Sequence, residues 1–214
     1  MTQRRGLREQ KKQATREALR EAALRLALER GPDNVRVDDI AEAAGVSPRT
    51  YNNYFSSREQ AIVAAVTAER ETRVAAAVAA RPATVRLADA VIDAIVDQYT
   101  TQSESGHDAL LLIATRPALR DAFVHAATAI EHPLIDAIAE RLGGTDLHTA
   151  RVLAAGVAAA VRVALEQWLR PTITSPATSG LVVPSGALPD LLRTSLAPLA
   201  PALDAAEKRM CHSA

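Results

Sequence analysis

Eleven residues, GVSPRTYNNYF at 45–55, constrain this chain more than any other stretch, because they order one helix to stop and another to start almost at once. Ahead of them Val37, Ile40, Ala41 and Ala44 recur at i, i+3, i+4 and i+7, the period of a short amphipathic helix. Gly45 closes that helix, since glycine reaches the left-handed conformation of a helix end without steric cost. Ser47 is a strong N-cap and Pro48 suits the first helical position, where no N–H is needed, so a third helix opens directly. Two helices joined by a three-residue glycine turn form a helix-turn-helix. Leu19, Ala22, Ala23, Leu26 and Ala27 predict a longer helix before them, from about Arg8 to Arg30, ended by Gly31-Pro32.

The same eleven residues hold three of the chain's six aromatic side chains, interleaved with Arg49, Thr50, Asn52 and Asn53. Tyr51 and Phe55 fall four apart, and the spacing predicts that they pack the helix onto Val46, Ile40 and Leu26. The polar groups then face outward. The B-DNA major groove admits one such helix, and side chains there meet a donor and acceptor pattern that differs for every base pair. Arg49 can fork onto guanine, Asn52 or Asn53 onto adenine, and Thr50 can offer a hydroxyl or a methyl. Ser47 and Pro48 stand at the head of this helix. Tyr54 and Arg58 suit phosphate positioning, as do backbone N–H groups at the start of the next helix, and Arg36 completes the set expected at DNA. Charge agrees: residues 1–58 carry 12 Lys/Arg against 8 Asp/Glu, leaving 13 against 17 for the remainder, although the whole chain is neutral.

The stretch from 14 to 62, ATREALREAALRLALERG…VRVDDIAEAAGVSPRTYNNYFSSREQAI, resembles the DNA-binding domain of the TetR family of bacterial one-component regulators over nearly its whole length. By position, the resemblance puts Gly45 and Val46 in the turn, Ser47 to Tyr54 in the recognition helix and Phe55 at the family's buried aromatic. It departs at Asn52, where the family usually has an aromatic that touches phosphate, and at Arg58, where it has lysine. The resemblance implies a homodimer whose last two helices form a four-helix bundle, and an effector pocket in each C-terminal core. The opening stretch most resembles actinobacterial members linked to acyl-CoA or similar lipophilic molecules, which implies an effector of that kind.

Beyond the helix-turn-helix, helical periodicity continues. A fourth helix over 58–80 is expected to span roughly 33 Å, at about 1.5 Å per residue, and to connect two modules. Ala88, Val91, Ile92, Ile95, Val96 and Tyr99 form an apolar stripe, and TTQSESGHD separates it from ALLLIATRP. Leu119, Ala122, Phe123, Ala126, Ala127 and Ile130 run in phase into Leu134 and Ile138, and Pro133 predicts one kinked helix or two nearly coaxial ones there, with the carbonyl of Ala129 freed as a polar handle. Residues 146–170 read as a long helix with Ala154, Val157, Ala158, Val161, Leu165 and Trp168 on one side. Its small residues permit close helix approach. Residues 171–189 hold four prolines, two glycines and six Ser/Thr and read as a loop, before a last helix bearing Leu188, Leu191, Leu192, Leu196 and Leu199. The reading is all-α, about nine helices: a helix-turn-helix domain at 8–58, a connecting helix at 59–80, and a larger effector-binding and dimerisation domain at 81–214. Tyr99, Phe123, Thr128 and Trp168 are the scarce residues able to line an effector cavity, and each serves equally well as core.

Cys211, the one cysteine, is fourth from the end, so no intrachain disulfide or multi-cysteine metal framework can form. His107, His125 and His132 lack the spacing of a metal site. Asp89, Asp93 and Asp97 read as a solvated helix face, and Arg162 with Glu166 as a surface pair. No nucleophile and base pairing or phosphate loop argues for an enzyme, and no cofactor is expected. VLAAGVAAAV at 152–161, the most apolar run, is shorter than the roughly 20 residues a bilayer span needs, and residues 1–23 lack a leader's apolar core. The expectation is a cytoplasmic regulator, a repressor that binds a palindromic double-stranded operator as a homodimer and is released by a small lipophilic effector. Two alternatives stand beside it: a DNA-binding regulator whose larger domain docks a protein, and a helical enzyme.

Overall fold

The computed structural model describes residues 2–67, 70–100, 104–144, 146–170 and 187–211, and these are helical with no strand among them. Its α-helices are α1 (Thr2–Arg30), α2 (Val37–Ala43), α3 (Pro48–Asn52), α4 (Arg58–Thr67), α5 (Arg70–Ala80) and α6 (Leu87–Thr100). There follow α7 (Glu104–Thr115), α8 (Pro117–Ala126), α9 (Glu131–Arg141), α10 (Leu147–Trp168), α11 (Leu188–Leu196) and α12 (Ala200–Cys211). Short 3₁₀ turns lie at Pro32–Asn34, Ala127–Ile130 and Ala197–Leu199. The continuity expected of one helix through 68–69 and the Pro-rich loop expected over 171–186 lie outside the described residues.

The chain divides into two compact units, Met1–Ala68 with Glu104–Ala126, and Glu69–Ser103 with Ala127–Ala214. In the first, α1 packs on α2 and α4, and α7 and α8 close over α4. This differs from a boundary that gives all of 81–214 to the second module. Ala61, Ile62 and Val63 are buried in succession, so α4 is covered on more than one side. One helix partner cannot do that; α1 takes one side and α8 another.

In the second unit α10 is the central helix, packed against α9 and α11, while α6 meets α5, α11 and α12. The expected stripe is observed: Ala154, Val157, Ala158, Val161 and Leu165 are buried, and Leu192 and Leu196 of α11 are buried as well. Each large aliphatic side chain removed from water in this way contributes about 1.5–3 kcal/mol. By length and composition alone α10 is apolar enough to cross a bilayer. The ten-residue run understated this, because its apolar character extends through the whole helix. The buried side of α10 is covered by its helical neighbours. Arg141 fastens the end of α9 to the 81–87 segment, donating to the carbonyls of Arg81 (3.2 Å) and Val85 (2.6 Å) and to Glu207 (2.8 Å), whose other oxygen accepts the Leu87 N–H at the head of α6.

Of the two arrangements expected around Pro133, separate helices are found and a single kinked helix is not. The preceding helix has already given way to the 3₁₀ turn at Ala127–Ile130, and α9 restarts at Glu131, so Pro133 sits in a first turn, where its missing N–H leaves nothing unmade. Ala129 is exposed, which removes its carbonyl from consideration as a handle in an apolar cavity. Part of TTQSESGHD is helical too, since α7 already begins at Glu104.

Candidate nucleic-acid interface

The turn between α2 and α3 is built by hydrogen bonds that only a left-handed residue allows. Val46 N–H reaches the carbonyl of Ala41 at 2.9 Å and Gly45 N–H that of Glu42 at 3.0 Å, with Gly45 at φ 69°. This paired closure satisfies the last carbonyls of α2 and sends the chain sharply away. Ser47 then caps α3, its hydroxyl oxygen accepting the Thr50 N–H at 3.1 Å. At the far end of the motif Ser57 caps α4 in the same manner, accepting from Gln60 N–H at 3.1 Å.

Two rings anchor α3. Tyr51 and Phe55 are 0% and 2% exposed, with centroids 5.8 Å apart, and Ile40 and Leu26 are buried in the same unit. The guanidinium of Arg16 lies 5.8 Å from the Phe55 centroid. Tyr51 donates its hydroxyl proton to the carbonyl of Ser57 at 2.7 Å, tying α3 to the start of α4. Burial, reinforced by the negative charge of Glu59, pushes the Tyr51 phenol up to about 12. Burial also works to raise Glu59, but hydrogen bonds, that from Arg58 first among them, win and hold its carboxyl below the usual range.

With both rings turned inward, Ser47, Pro48, Arg49, Asn52 and Asn53 are exposed, and Thr50 and Tyr54 are half-buried. Arg36 is exposed at the head of α2, where its backbone N–H donates to Asp39 at 3.0 Å. Thus Arg36 lies at the head of α2, and the expected residues from Ser47 to Tyr54 lie on α3 or beside its ends. The helix itself is shorter than the 47–54 span of the family motif, because Asn53 already serves as its C-cap. Arg58, expected at phosphate, also has a duty within the protein. Its Nη1 donates to the carbonyls of Asp33 (3.1 Å) and Val35 (2.9 Å) and its Nε to Glu59 (2.7 Å), so it braces the turn ahead of α2. Nothing in its sequence position signals this, since the carbonyls it meets are more than twenty residues away.

The four residues proposed for an effector cavity are divided between the two units. Phe123 is buried in the first unit, whereas Tyr99, Thr128 and Trp168 belong to the second. Thr128 is exposed on the 3₁₀ turn and Trp168 half-buried at the end of α10. Tyr99 is buried with the Arg70 guanidinium 4.4 Å from its ring centroid. Burial raises the Tyr99 phenol against the pull of Arg70, and burial lowers Arg70. Missed by pattern reading, Arg70 is the cation that Tyr99 meets inside the second unit. Among the suspected acidic and basic sets, Arg86 and Arg81 pair with Asp89 (2.8 Å) and Asp97 (3.3 Å), and Arg162 pairs with Glu166. No cluster of three metal-ligating side chains occurs among the described residues.

Comparison with known proteins agrees with this geometry. The family model for bacterial regulatory proteins of the tetR family matches residues 19–65, and that for the MftR C-terminal domain matches 81–204. The HTH-type transcriptional regulator TcmR of Streptomyces glaucescens is 39% identical over 71 residues, 33% of this chain and 31% of that protein, so the match spans about a third of either. Among solved structures, a TetR-family transcriptional regulator from Rhodococcus sp. is 19% identical with a TM-score of 0.45, covering 89% of this chain and 99% of its own. NalD, the secondary repressor of the MexAB-OprM multidrug efflux pump in Pseudomonas aeruginosa, is 20% identical with a TM-score of 0.39, covering 90% and 97%.

Proposed function

Given that this chain belongs to the TetR family of bacterial regulatory proteins, which are transcription regulators and not enzymes, we propose that it is a dimeric repressor that binds a palindromic operator and is released by a small lipophilic effector. The observation that carries this is the division of α3 into two faces. Tyr51 is sealed inside, and Arg49, Asn52 and Asn53 stand in water on a capped, rigid support. Such a helix seats in a major groove with its first residues at base edges and Arg49 toward guanine. One such helix meets only a few base pairs, so two half-sites about 34 Å apart are expected for a dimer.

The dimer is supported by α10. Val152, Ala155, Ala159 and Val163 are all exposed along one line of that helix, Val152 at 58% and Val163 at 46%. A row of small apolar residues facing water suits close approach of the same row on a second copy. The effector, acyl-CoA-like or another lipophilic molecule, would act in the second unit by preferring the dimer conformation whose recognition helices fit DNA poorly, which shifts the population away from the operator. Its place of action is the cytoplasm, where the DNA is. Footprinting of the purified protein on the DNA upstream of its own gene tests the reading. Protection of a two-fold symmetric site is expected, with release by a small molecule that also raises the melting temperature. No protected site, or release only by a protein, overturns it.

A further inference from the structure

Upstream of its buried part, α1 presents a row of cations to the recognition helix. Among the described side chains of α1 burial begins at Leu19, and Arg8, Lys11, Lys12 and Arg16 before it are exposed. From Thr2 to Ala18 the helix extends about 25 Å. The first sixteen residues hold six Lys/Arg and one Asp/Glu, so this half of the helix carries more net positive charge than the whole of 1–58. Arg8, Lys11, Lys12 and Thr15 fall at i, i+3, i+4 and i+7, which places them on one helical face. All four line one wall of an open cleft of about 580 Å³, and its other wall is Thr50, Asn53 and Tyr54 at the end of the recognition motif. The Thr15 hydroxyl donates back to the Lys11 carbonyl at 2.9 Å, so the charge of this wall comes from the three cations. Among the described residues no carboxylate lines the cleft.

We propose that this cleft seats the sugar-phosphate strand at the edge of the groove entered by α3, which makes α1 a second DNA-contacting helix that grips the backbone without regard to sequence. The inference rests on the reading of α3 as the groove helix. The ligand class is a polyanionic strand because the cations are spread along about 6 Å of helix axis, not converged on one point. The neighbouring hydroxyl and amide side chains of Thr50, Asn53 and Tyr54 add neutral hydrogen-bonding groups on the opposite wall.

The test compares the full-length protein with a variant carrying Arg8→Ala, Lys11→Ala and Lys12→Ala. Both are titrated by fluorescence anisotropy, over a range of salt, onto the duplex that the wild-type protein enriches from a random pool and onto a scrambled duplex. Each phosphate contact contributes about 0.9 to the slope of log K against log salt, so the variant's slope is expected to be shallower by about 2–3 on both duplexes. The loss of affinity is equal on the two, and their ratio is unchanged. An unaltered slope, or a loss confined to the enriched duplex, overturns the proposal. If the wild-type protein enriches no sequence, the α3 reading fails, while the slope on the scrambled duplex still decides the cleft. Alanine favours the helix, and a single Lys11→Gln variant, expected to show about a third of the slope change, guards against a folding defect in the triple variant.

Discussion

Tyr51 illustrates how much one side chain settles. Its ring fills the space under α3, and its hydroxyl closes the loop to Ser57, so a single residue fixes both the tilt of the recognition helix and the start of α4. Because burial raises its phenol to about 12, the folded state holds that proton more tightly than the unfolded chain does. The resulting stability is complete below the ordinary tyrosine range near 10 and is lost as pH climbs from there to about 12. Tyr51→Phe is therefore expected to cost about 1 kcal/mol near neutral pH, through the lost hydrogen bond, and to flatten the alkaline fall in stability. Urea unfolding at stepped pH checks both; an alkaline fall as steep in the variant as in the wild type would assign it to other groups. The inward turn of Tyr51 and Phe55 was legible from their spacing. The bracing role of Arg58 was not, since it depends on carbonyls brought near only by the turn at Pro32–Asn34.

Elements obey their glycines and prolines in different degrees. At Gly45 the backbone is left-handed, and an added Cβ would meet nothing within 4 Å, so the cost of Gly45→Ala is purely conformational, about 1–2 kcal/mol. Gly156, within α10, is the reverse case. A Cβ there would meet Leu199 side-chain carbons at 3.5 and 3.7 Å, ordinary contact, so Gly156→Ala is expected to stabilise the fold by up to about 1 kcal/mol through helix propensity. Denaturant midpoints of the two variants should move in opposite directions, and movement in the same direction would show that local geometry does not govern them. The stops at Gly45 and Gly143-Gly144 were readable because a left-handed requirement leaves a glycine signature. Pro133 left two readings open because proline looks the same whether it bends a helix or begins one; the difference lies in the 3₁₀ turn before it, which has no sequence marker of comparable strength.

At the scale of the molecule, chain order conceals which helices share a core. The α7–α8 pair, which begins at Glu104, returns to cover α4, which ends at Thr67, and no periodicity within either segment reveals this. Tyr99, Phe123, Thr128 and Trp168 were chosen by scarcity, and scarcity carries no information on which unit a residue joins: Phe123 falls in the first and the other three in the second. The exposed row on α10 makes a firmer prediction. Val152→Glu places like charges near one another across a symmetric interface and is expected to weaken dimerisation at least about tenfold by sedimentation equilibrium, whereas an unchanged monomer–dimer equilibrium would remove α10 from the interface. The most direct measurement concerns Arg49. Binding of wild-type protein and Arg49→Ala is compared across duplexes in which each operator base pair is replaced in turn. A loss of about 1–3 kcal/mol that relaxes preference at one base pair per half-site is expected if α3 reads bases, and equal weakening on every duplex would contradict it.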